Sequence, residues 1–187
     1  VVFEDAPPYT REAADDLAMY IEKVSGVRPD VMEGRPDPVP EHAVWVGYQP
    51  ELEELFPEVD FDFEHAEEIL IAANGEHVVI AGRDRWDPDN LVVDPASGHK
   101  DLIVGNQREY GTANAVYTFV QKYLDVRRLW PGELGLDVPE QETIAFSPFS
   151  YRYHPPFRQR SRIFRLSQLG DRRGHSHEWT RFQRLQL

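Results

Sequence analysis

The chain has 187 residues, no cysteine and a formal net charge of −13, and 41% of its residues are hydrophobic. This composition is typical of a globular chain with a core, and the lack of cysteine excludes disulfides, thiolate catalysis and cysteine-based zinc sites. No apolar run approaches the ~18 residues that a membrane-spanning helix needs, and we expect no membrane partner.

The charge is divided unevenly along the chain. Residues 1–150 hold 11 of the 20 Lys and Arg residues and 31 of the 33 acids, which gives −20. Residues 151–187 hold the other nine, all Arg, and two acids, which gives +7. An acidic body of this kind repels nucleic acid, so no nucleic-acid partner is expected. The basic tail is also rich in apolar residues, which favours its burial against a larger body over a solvated basic arm.

The first third of the chain predicts a strand, a helix, a strand and a short helix. Residues 1–3 read as a strand, and a helix opens with Thr10 as its N-cap and stops at Gly26. Apolar residues at helical spacing form one stripe between these two positions. A strand follows over Ala43–Val46, and residues 50–56 read as a short helix.

The middle of the chain predicts a hairpin and a long polar connection. Residues 68–73 and 77–81 are two strands, joined by Asn74-Gly75. Both residues of that pair tolerate a positive φ, so the pair is a strong short-range signal for a hairpin. The connection that follows contains a second, smaller hairpin candidate, formed by residues 91–93 and 102–104.

An acidic stretch lies in this connection: Asp84, Asp87, Asp89 and Asp94. The spacing does not fit a calcium loop, because Leu91 occupies the third alternate position and no Gly or distal Glu follows. We therefore expect a solvated acidic loop, with a weak cation site as the alternative.

Residues 111–133, GTANAVYTFVQKYLDVRRLWPGE, give the clearest signal. Thr112 is the predicted N-cap of a second helix, whose apolar residues follow at helical spacing. An extended run begins at Val126 and ends at the turn Pro131-Gly132, and a further strand is predicted over Thr143–Phe146. None of these residues reads as a nucleophile, a metal ligand or a phosphate-binding group, so the segment reads as scaffold.

These elements predict an α/β (α+β) fold. We expect a two-layer sandwich in which a mixed β-sheet carries two main helices packed on one face. The sandwich is predicted to cover residues 1–148, because Ser147-Pro148 and Pro155-Pro156 punctuate the chain after it. Residues 149–187 would then be a linker and the truncated start of a following domain.

Three motifs in this order resemble one known domain. They are AADDLAMYIEKVSG, EEILIAANGEHVVIAG and GTANAVYTFVQKYLDVRRLWPGE, and together they are similar to the small N-terminal domain that precedes the catalytic barrel in bacterial alpha-glucuronidases and beta-hexosaminidases. Two positions depart from the family pattern: Asp125 stands where Gly is usual, and Arg128 where an aromatic residue is usual. The resemblance implies a non-catalytic domain of a glycoside hydrolase, without a cofactor, and places the catalytic acids beyond Leu187, so we nominate none here.

The tail continues the resemblance. PPFRQRS, residues 155–161, resembles the start of the first barrel strand in hexosaminidase-like enzymes, although Ser161 replaces the usual Gly. The resemblance implies that Arg160 contacts the bound sugar, and a guanidinium can grip two adjacent hydroxyls. The alternative is a structural Arg160 paired with an acidic neighbour.

The sequence HSHEW supplies the other candidate binding residues. His175 and His177 with Trp179 could line a sugar cleft, because aromatic side chains stack on sugar faces. A metal site would need a third ligand, and none is evident, so we predict no metal site. Ordinary surface or core positions remain the alternative for all three residues.

The sequence-based hypothesis is therefore a non-catalytic N-terminal domain of a carbohydrate-active enzyme, which supports a following barrel and reaches carbohydrate through it. The alternative is a stand-alone carbohydrate- or protein-binding module that uses the Arg-rich C-terminal segment. The chain opens without Met, and we expect an exported protein whose signal peptide has been removed, with a cytoplasmic location as the alternative.

Overall fold

The computed structural model describes residues 1–86, 91–93, 103–105, 107–157 and 173–184, and only the backbone of 91–93, 103–105 and 173–177. The described helices are α1 (Pro8–Ser25), α2 (Leu52–Leu55), α3 (Gly111–Lys122) and α4 (Arg173–Phe182), with a 3-10 turn at Glu133–Gly135. The described strands are β1 (Ala43–Val46), β2 (Ile69–Ala73), β3 (His77–Gly82), β4 (Asp84–Arg85), β5 (Leu91–Val93), β6 (Ile103–Gly105), β7 (Glu109–Tyr110), β8 (Arg127–Arg128), β9 (Leu136–Asp137) and β10 (Phe149–Tyr153). None of these helices is both long and apolar enough to cross a membrane.

The main sheet has four strands in the order β1-β3-β2-β10. β2 and β3 form the predicted antiparallel hairpin, with Ile71 opposite Ile80. β1 lies parallel to β3, and β10 lies antiparallel to β2. The predicted strand over residues 1–3 is reduced to isolated parallel bridges from Val2 to Val46 and to Glu33. The sheet is therefore mixed, as predicted.

Both long helices pack on one face of this sheet, which confirms the predicted two-layer arrangement. Side chains alternate between the faces of a strand, so Val46, Ile71 and Ile80 point toward the helices and are buried there. Leu17 of α1 and Phe119 of α3 are buried in the same cluster. This cluster is the main core.

The opposite face of the sheet carries a second, smaller core that the sequence did not reveal. Trp45 and Val79 point to this side and are fully buried. Leu52 of α2 and Phe56, just after it, cover them, with partly buried aromatic residues from the segment that follows. The short helix predicted over residues 50–56 thus covers the second face of the sheet.

The predicted threonine N-caps are wrong. α1 begins at Pro8, where the missing N–H of proline costs nothing, and the Thr10 hydroxyl donates instead to the Asp84 carboxylate at 3.3 Å. α3 begins at Gly111 without a side-chain cap from the preceding residue. The Thr112 hydroxyl is directed toward the sheet, where it lies 3.1 Å from the Gly82 nitrogen and 3.2 Å from the Gly82 carbonyl oxygen.

Three small antiparallel pairs complete the described strands. β4 pairs with β7, β5 with β6, and β8 with β9. The β5–β6 pair confirms the smaller predicted hairpin, with its second strand one residue later than predicted. Residues 143–146 are not a strand, and the prediction of one is wrong there; Ile144 and Phe146 instead pack their side chains against the main core. The next extended segment, β10, forms the edge of the main sheet, so this sheet reaches residue 153, and the start of a second domain stays a prediction.

Two glycines allow α3 to begin directly against the sheet. A Cβ atom on Gly82 would lie 2.3 Å from the Gly111 carbonyl carbon, and one on Gly111 would lie 2.4 Å from the Arg83 nitrogen. These neighbours are backbone atoms and cannot move aside as a flexible side chain could. The Gly111 nitrogen also donates to the Arg83 carbonyl at 3.0 Å, so the strand and the helix are in backbone contact here.

We therefore predict that Gly111→Ala lowers the free energy of unfolding by about 3 kcal/mol or more, because overpacking against fixed backbone forces the two elements apart. Urea denaturation of the purified variant measures this loss. Gly34→Ala is the matched control: its Cβ meets open space and the cost comes only from a φ of +85°, which is worth about 1 kcal/mol. Equal losses in the two variants would contradict the proposed steric constraint.

Candidate functional site

The structure describes only some of the four binding residues that the sequence predicted. Arg160 lies outside the described residues, and the side chains of His175 and His177 lie outside them too, although their backbone belongs to α4. Trp179 is described and is half-buried on the same helix. The predicted sugar contacts therefore stay predictions, because the distances among these four side chains involve residues outside the described part of the chain.

Helix α4, which carries the HSHEW sequence, packs onto the two long helices. Phe182 is 1% exposed and belongs to the main core. Its ring centroid lies 5.6 Å from that of Tyr20 on α1 and 6.1 Å from that of Tyr117 on α3. A hydrogen bond adds to the aromatic contacts, since the Gln121 side-chain amide donates to the Phe182 carbonyl at 3.2 Å. The apolar residues of the tail are thus partly accounted for by burial against this chain's own helices.

An acidic stripe on α1 receives an arginine of α4. Glu12 and Asp16 are four residues apart and so share a helix face, and Arg181 forms an ion pair with Glu12. The Tyr117 hydroxyl donates to the Asp16 carboxylate at 2.8 Å. Burial raises the pKa of Asp16, although the charge of Arg181 partly offsets this, and burial also raises the pKa of Tyr117. The i, i+4 acids together with an Arg-rich tail are the sequence signal that could have revealed this contact.

A second ion pair joins α4 to β8. Arg128 is buried and its guanidinium lies 2.8 Å from the Glu178 carboxylate. The Gln183 amide donates to the Arg128 carbonyl at 2.7 Å, and the Arg184 guanidinium donates to the Gln121 side chain at 2.7 Å. Together with Arg181, this means that the arginines described on this part of the tail contact the chain's own residues.

The turn between β8 and β9 exposes apolar side chains, and we call residues 129–135 the projecting loop. Leu129 is 73% exposed, Trp130 51% exposed, and Leu134 fully exposed. The loop is held at its base, where the Leu129 nitrogen donates to the Gly135 carbonyl at 2.8 Å. A Cβ atom on Gly135 would lie 2.2 Å from the Trp130 carbonyl oxygen, so the turn is tightly closed. Its geometry presents these apolar side chains to the outside of the molecule.

Asp84 does not lie in a solvated acidic loop, and that expectation is wrong for this residue. Its carboxylate accepts hydrogen bonds from the Thr112 backbone nitrogen at 3.1 Å and from the Thr10 hydroxyl at 3.3 Å. It therefore caps α3 from a distant strand and links that helix to α1. The remaining acids of the stretch, at positions 87, 89 and 94, lie outside the described residues. The sequence of the acidic stretch did not indicate this contact, which depends on the close approach of Gly82 and Gly111.

Burial raises the pKa of Asp84 to about 6, an effect that the hydrogen bonds from Thr112 and Thr10 reduce and the nearby Glu109 carboxylate increases. Glu109 itself is buried and lies 3.0 Å from the Arg83 guanidinium. A carboxyl that titrates near neutrality is a candidate general acid or base. Its hydrogen bonds to two helices also give it a structural role. In the described part of the chain, no three His, Cys, Asp or Glu side chains gather in a way that could hold a metal ion.

No protein-family model and no curated protein matches this chain. The assignment of a function therefore depends on the residues and geometry described above.

We predict that Phe182→Ala lowers the free energy of unfolding by about 3 kcal/mol, because it leaves a cavity between α1, α3 and α4. Urea denaturation of the 187-residue chain provides the measurement. Leu134→Ala removes an apolar side chain of similar size from a fully exposed position and should change the stability by less than about 0.5 kcal/mol. Similar small changes in both variants would show that α4 does not pack as described.

Asp84 should also make the stability depend on pH. Its folded-state pKa of about 6 lies above the ordinary value of 3.8, so its contribution to stability is fully present below the unfolded-state pKa and is lost as the pH rises through the folded-state pKa. Between pH 5 and pH 7.5, the stability of the wild type relative to Asp84→Asn should fall by on the order of 1 kcal/mol. Urea denaturation at both pH values, with Asp15→Asn on the exposed face of α1 as the control, measures this change. A difference between wild type and Asp84→Asn that stays constant with pH would contradict it.

Proposed function

We propose that this chain is the non-catalytic N-terminal domain of a glycoside hydrolase of the alpha-glucuronidase or beta-hexosaminidase type. Its role is to support a following catalytic barrel, against which it packs. Carbohydrate reaches the protein through that barrel, with Arg160, His175, His177 and Trp179 as the candidate contacts at the junction.

The projecting loop carries this proposal. An acidic domain surface gains nothing from exposing two leucines and a tryptophan on a tightly closed turn, because each exposed apolar group costs free energy in water. Contiguous exposed apolar side chains on a rigid support are typical of surfaces that pack against another body. The loop is also the segment whose sequence, LWPGE, takes part in the family resemblance.

Two departures from the family pattern fit their positions in the structure. Asp125 stands where the family has Gly, and its φ is +55°, in the left-handed region that favours glycine. Arg128 stands where the family has an aromatic residue, and its side chain is buried between α4 and the helices. The positive φ at position 125 suits a glycine, and the buried site at position 128 suits an aromatic residue. Both positions therefore suit the residues that the family usually has, which supports the resemblance.

The alternative is a binding module that uses the Arg-rich segment to recognise an acidic partner. Three arginines of that segment are already engaged within the chain. Arg152 lies 2.6 Å from the buried Glu68 carboxylate, Arg181 pairs with Glu12, and Arg184 donates to Gln121. These contacts leave fewer cations for an external acidic partner and favour the first proposal.

The proposal predicts that the 187-residue chain does not hydrolyse aryl glucuronides or aryl N-acetylglucosaminides above the buffer rate. Release of the aryl alcohol, followed by absorbance, measures this, with an active glycosidase on the same substrates as the positive control. Appreciable turnover by this chain would overturn its non-catalytic role.

The packing role has its own measurement. We expect the sequence encoded after Leu187 to continue as βα units, and a stop codon at that point would contradict the proposal.

In the protein that includes those residues, Leu129→Ser combined with Leu134→Ser should lower the free energy of unfolding by about 2 kcal/mol. The same pair of changes should leave the 187-residue chain within about 0.5 kcal/mol of wild type. Val27→Ser, at an exposed position after α1, is the control, and equal effects of the loop changes in both proteins would count against packing through the loop.

A further inference from the structure

A cleft opens between the sheet and the helices at the end where α1 and α3 finish, and we call it the hairpin-end cleft. Its volume is about 760 Å³, within the range of pockets that bind small organic molecules. Its walls come from α1, the first residues of β1 and β3, the turn at residues 73–76, the end of α3 and residues 144–146. All of these segments belong to the described part of the chain.

Small side chains on facing elements leave this space open. Val44 and Val78 lie opposite each other on β1 and β3 and point toward the helices. Across from them α1 contributes Ala14 and Ala18, which carry a single methyl group each and are buried. Larger side chains close the sandwich further along the sheet, where Ile71 and Ile80 are fully buried.

The interior of the cleft is apolar. The partly buried Ile21 and Phe146 form its surface together with Val44 and Val78. Leu17 and Phe119 border it too, but they are 2% and 1% exposed and belong to the core. Such a surface is poorly hydrated, so a ring or a short alkyl chain that enters it displaces weakly bound water.

The rim of the cleft is polar and carries negative charge. Asp30 and Glu76 line it from two different loops, and both are exposed. His42 lies between these loops, and its Nδ1 atom is 3.2 Å from the Glu76 carbonyl oxygen. The Val1 ammonium also lines the cleft, but it donates to the Val44 carbonyl at 2.6 Å, and burial lowers its pKa. The rim therefore has two carboxylates at the water boundary and one amino group that is already hydrogen-bonded within the chain.

We propose that the hairpin-end cleft binds a small amphipathic molecule with an apolar ring or short chain and a cationic end. The apolar part lies against Ile21, Val78 and Phe146, and the cation faces Asp30 and Glu76. Charge complementarity selects a cation over an anion at this rim, because a carboxylate ligand would be repelled by both side chains. This ligand site is separate from the projecting loop and does not depend on the proposed function.

4-Phenylbutylamine is a suitable probe, with 4-phenylbutyrate as its matched anion. Titrated into the 187-residue chain and followed by the chemical shifts of backbone amides, the amine should bind saturably with a dissociation constant of about 1 mM, the affinity expected for a ligand of this size. The anion should bind about tenfold more weakly, because two exposed carboxylates each contribute a modest repulsion. Failure of the amine to bind, or equal affinities for the two probes, would overturn the proposal.

Variants locate the binding in the cleft. Val44→Phe, and independently Val78→Phe, fill the space and should each weaken amine binding at least about tenfold, as expected when a ligand pocket is occluded. Val27→Phe, which adds the same ring at an exposed position outside the cleft, should leave the affinity unchanged. Unchanged affinity in a folded filling variant would place the binding elsewhere and refute the site.

The rim is tested by removing charge without changing shape. Asp30→Asn combined with Glu76→Gln should reduce the preference for the amine over the anion to within about twofold, since the two carboxylates no longer attract the amine or repel the anion. Glu58→Gln, on an exposed turn that does not line the cleft, should leave the preference at its wild-type value. Retention of the full preference in the double variant would show that these carboxylates do not select the ligand.

Discussion

The backbone contact between Gly82 and Gly111 is the constraint on which the rest of this fold depends. It brings the start of α3 against the end of β3 more closely than any side chain would permit. Once the two backbones touch, the Thr112 hydroxyl reaches the Gly82 peptide groups and the Asp84 carboxylate reaches the start of the helix. Through Thr10 the same carboxylate holds α1. The two helices therefore enter the sandwich from one junction, and the apolar stripes that they carry meet the sheet from there.

Part of the positive charge of the C-terminal segment is paired with acidic residues of the same chain. Helix α1 carries Glu12 and Asp16 on one face, and α4 brings Arg181 to it. Ion pairs alone contribute little at an exposed surface, but here Phe182 is buried beside them among aromatic residues of α1 and α3. Burial of the Phe182 ring stabilises the packing of α4, and the ion pair of Arg181 determines which face of α4 points toward α1. A basic tail that could have been a recognition arm packs, over its described helix, against the chain's own helices α1 and α3.

The two surfaces that we propose contact other molecules lie near the end of the sandwich where α1 and α3 finish. The projecting loop is connected to this end by contact between Lys23 and Glu133, and Leu124, just after α3, lines the hairpin-end cleft. Their chemistry differs: the loop offers protruding apolar side chains suited to a large apolar surface, whereas the cleft is concave and has an acidic rim suited to a small cation. The opposite end, at the Gly82–Gly111 contact, is occupied by the structural junction. Both proposed contact surfaces therefore lie at one end of the sandwich, and the junction of α1, α3 and the sheet lies at the other.

The sequence by itself determined the fold class, both long helices, the hairpin of β2 and β3, and the strand β1, because the periodicity of apolar residues is a local property of the chain. It also indicated that the segment from Gly111 to Glu133 is scaffold. Only the tertiary structure decided the role of Asp84, the burial of Arg128 and Phe182, the second core around Trp45 and the hairpin-end cleft. Each of these depends on residues tens of positions apart: Asp84 and Thr112, or Val44 and Ala18, are brought together by packing. A single sequence shows which residues are apolar or charged, whereas the burial that sets a pKa and the gap that forms a cleft arise from how the layers pack.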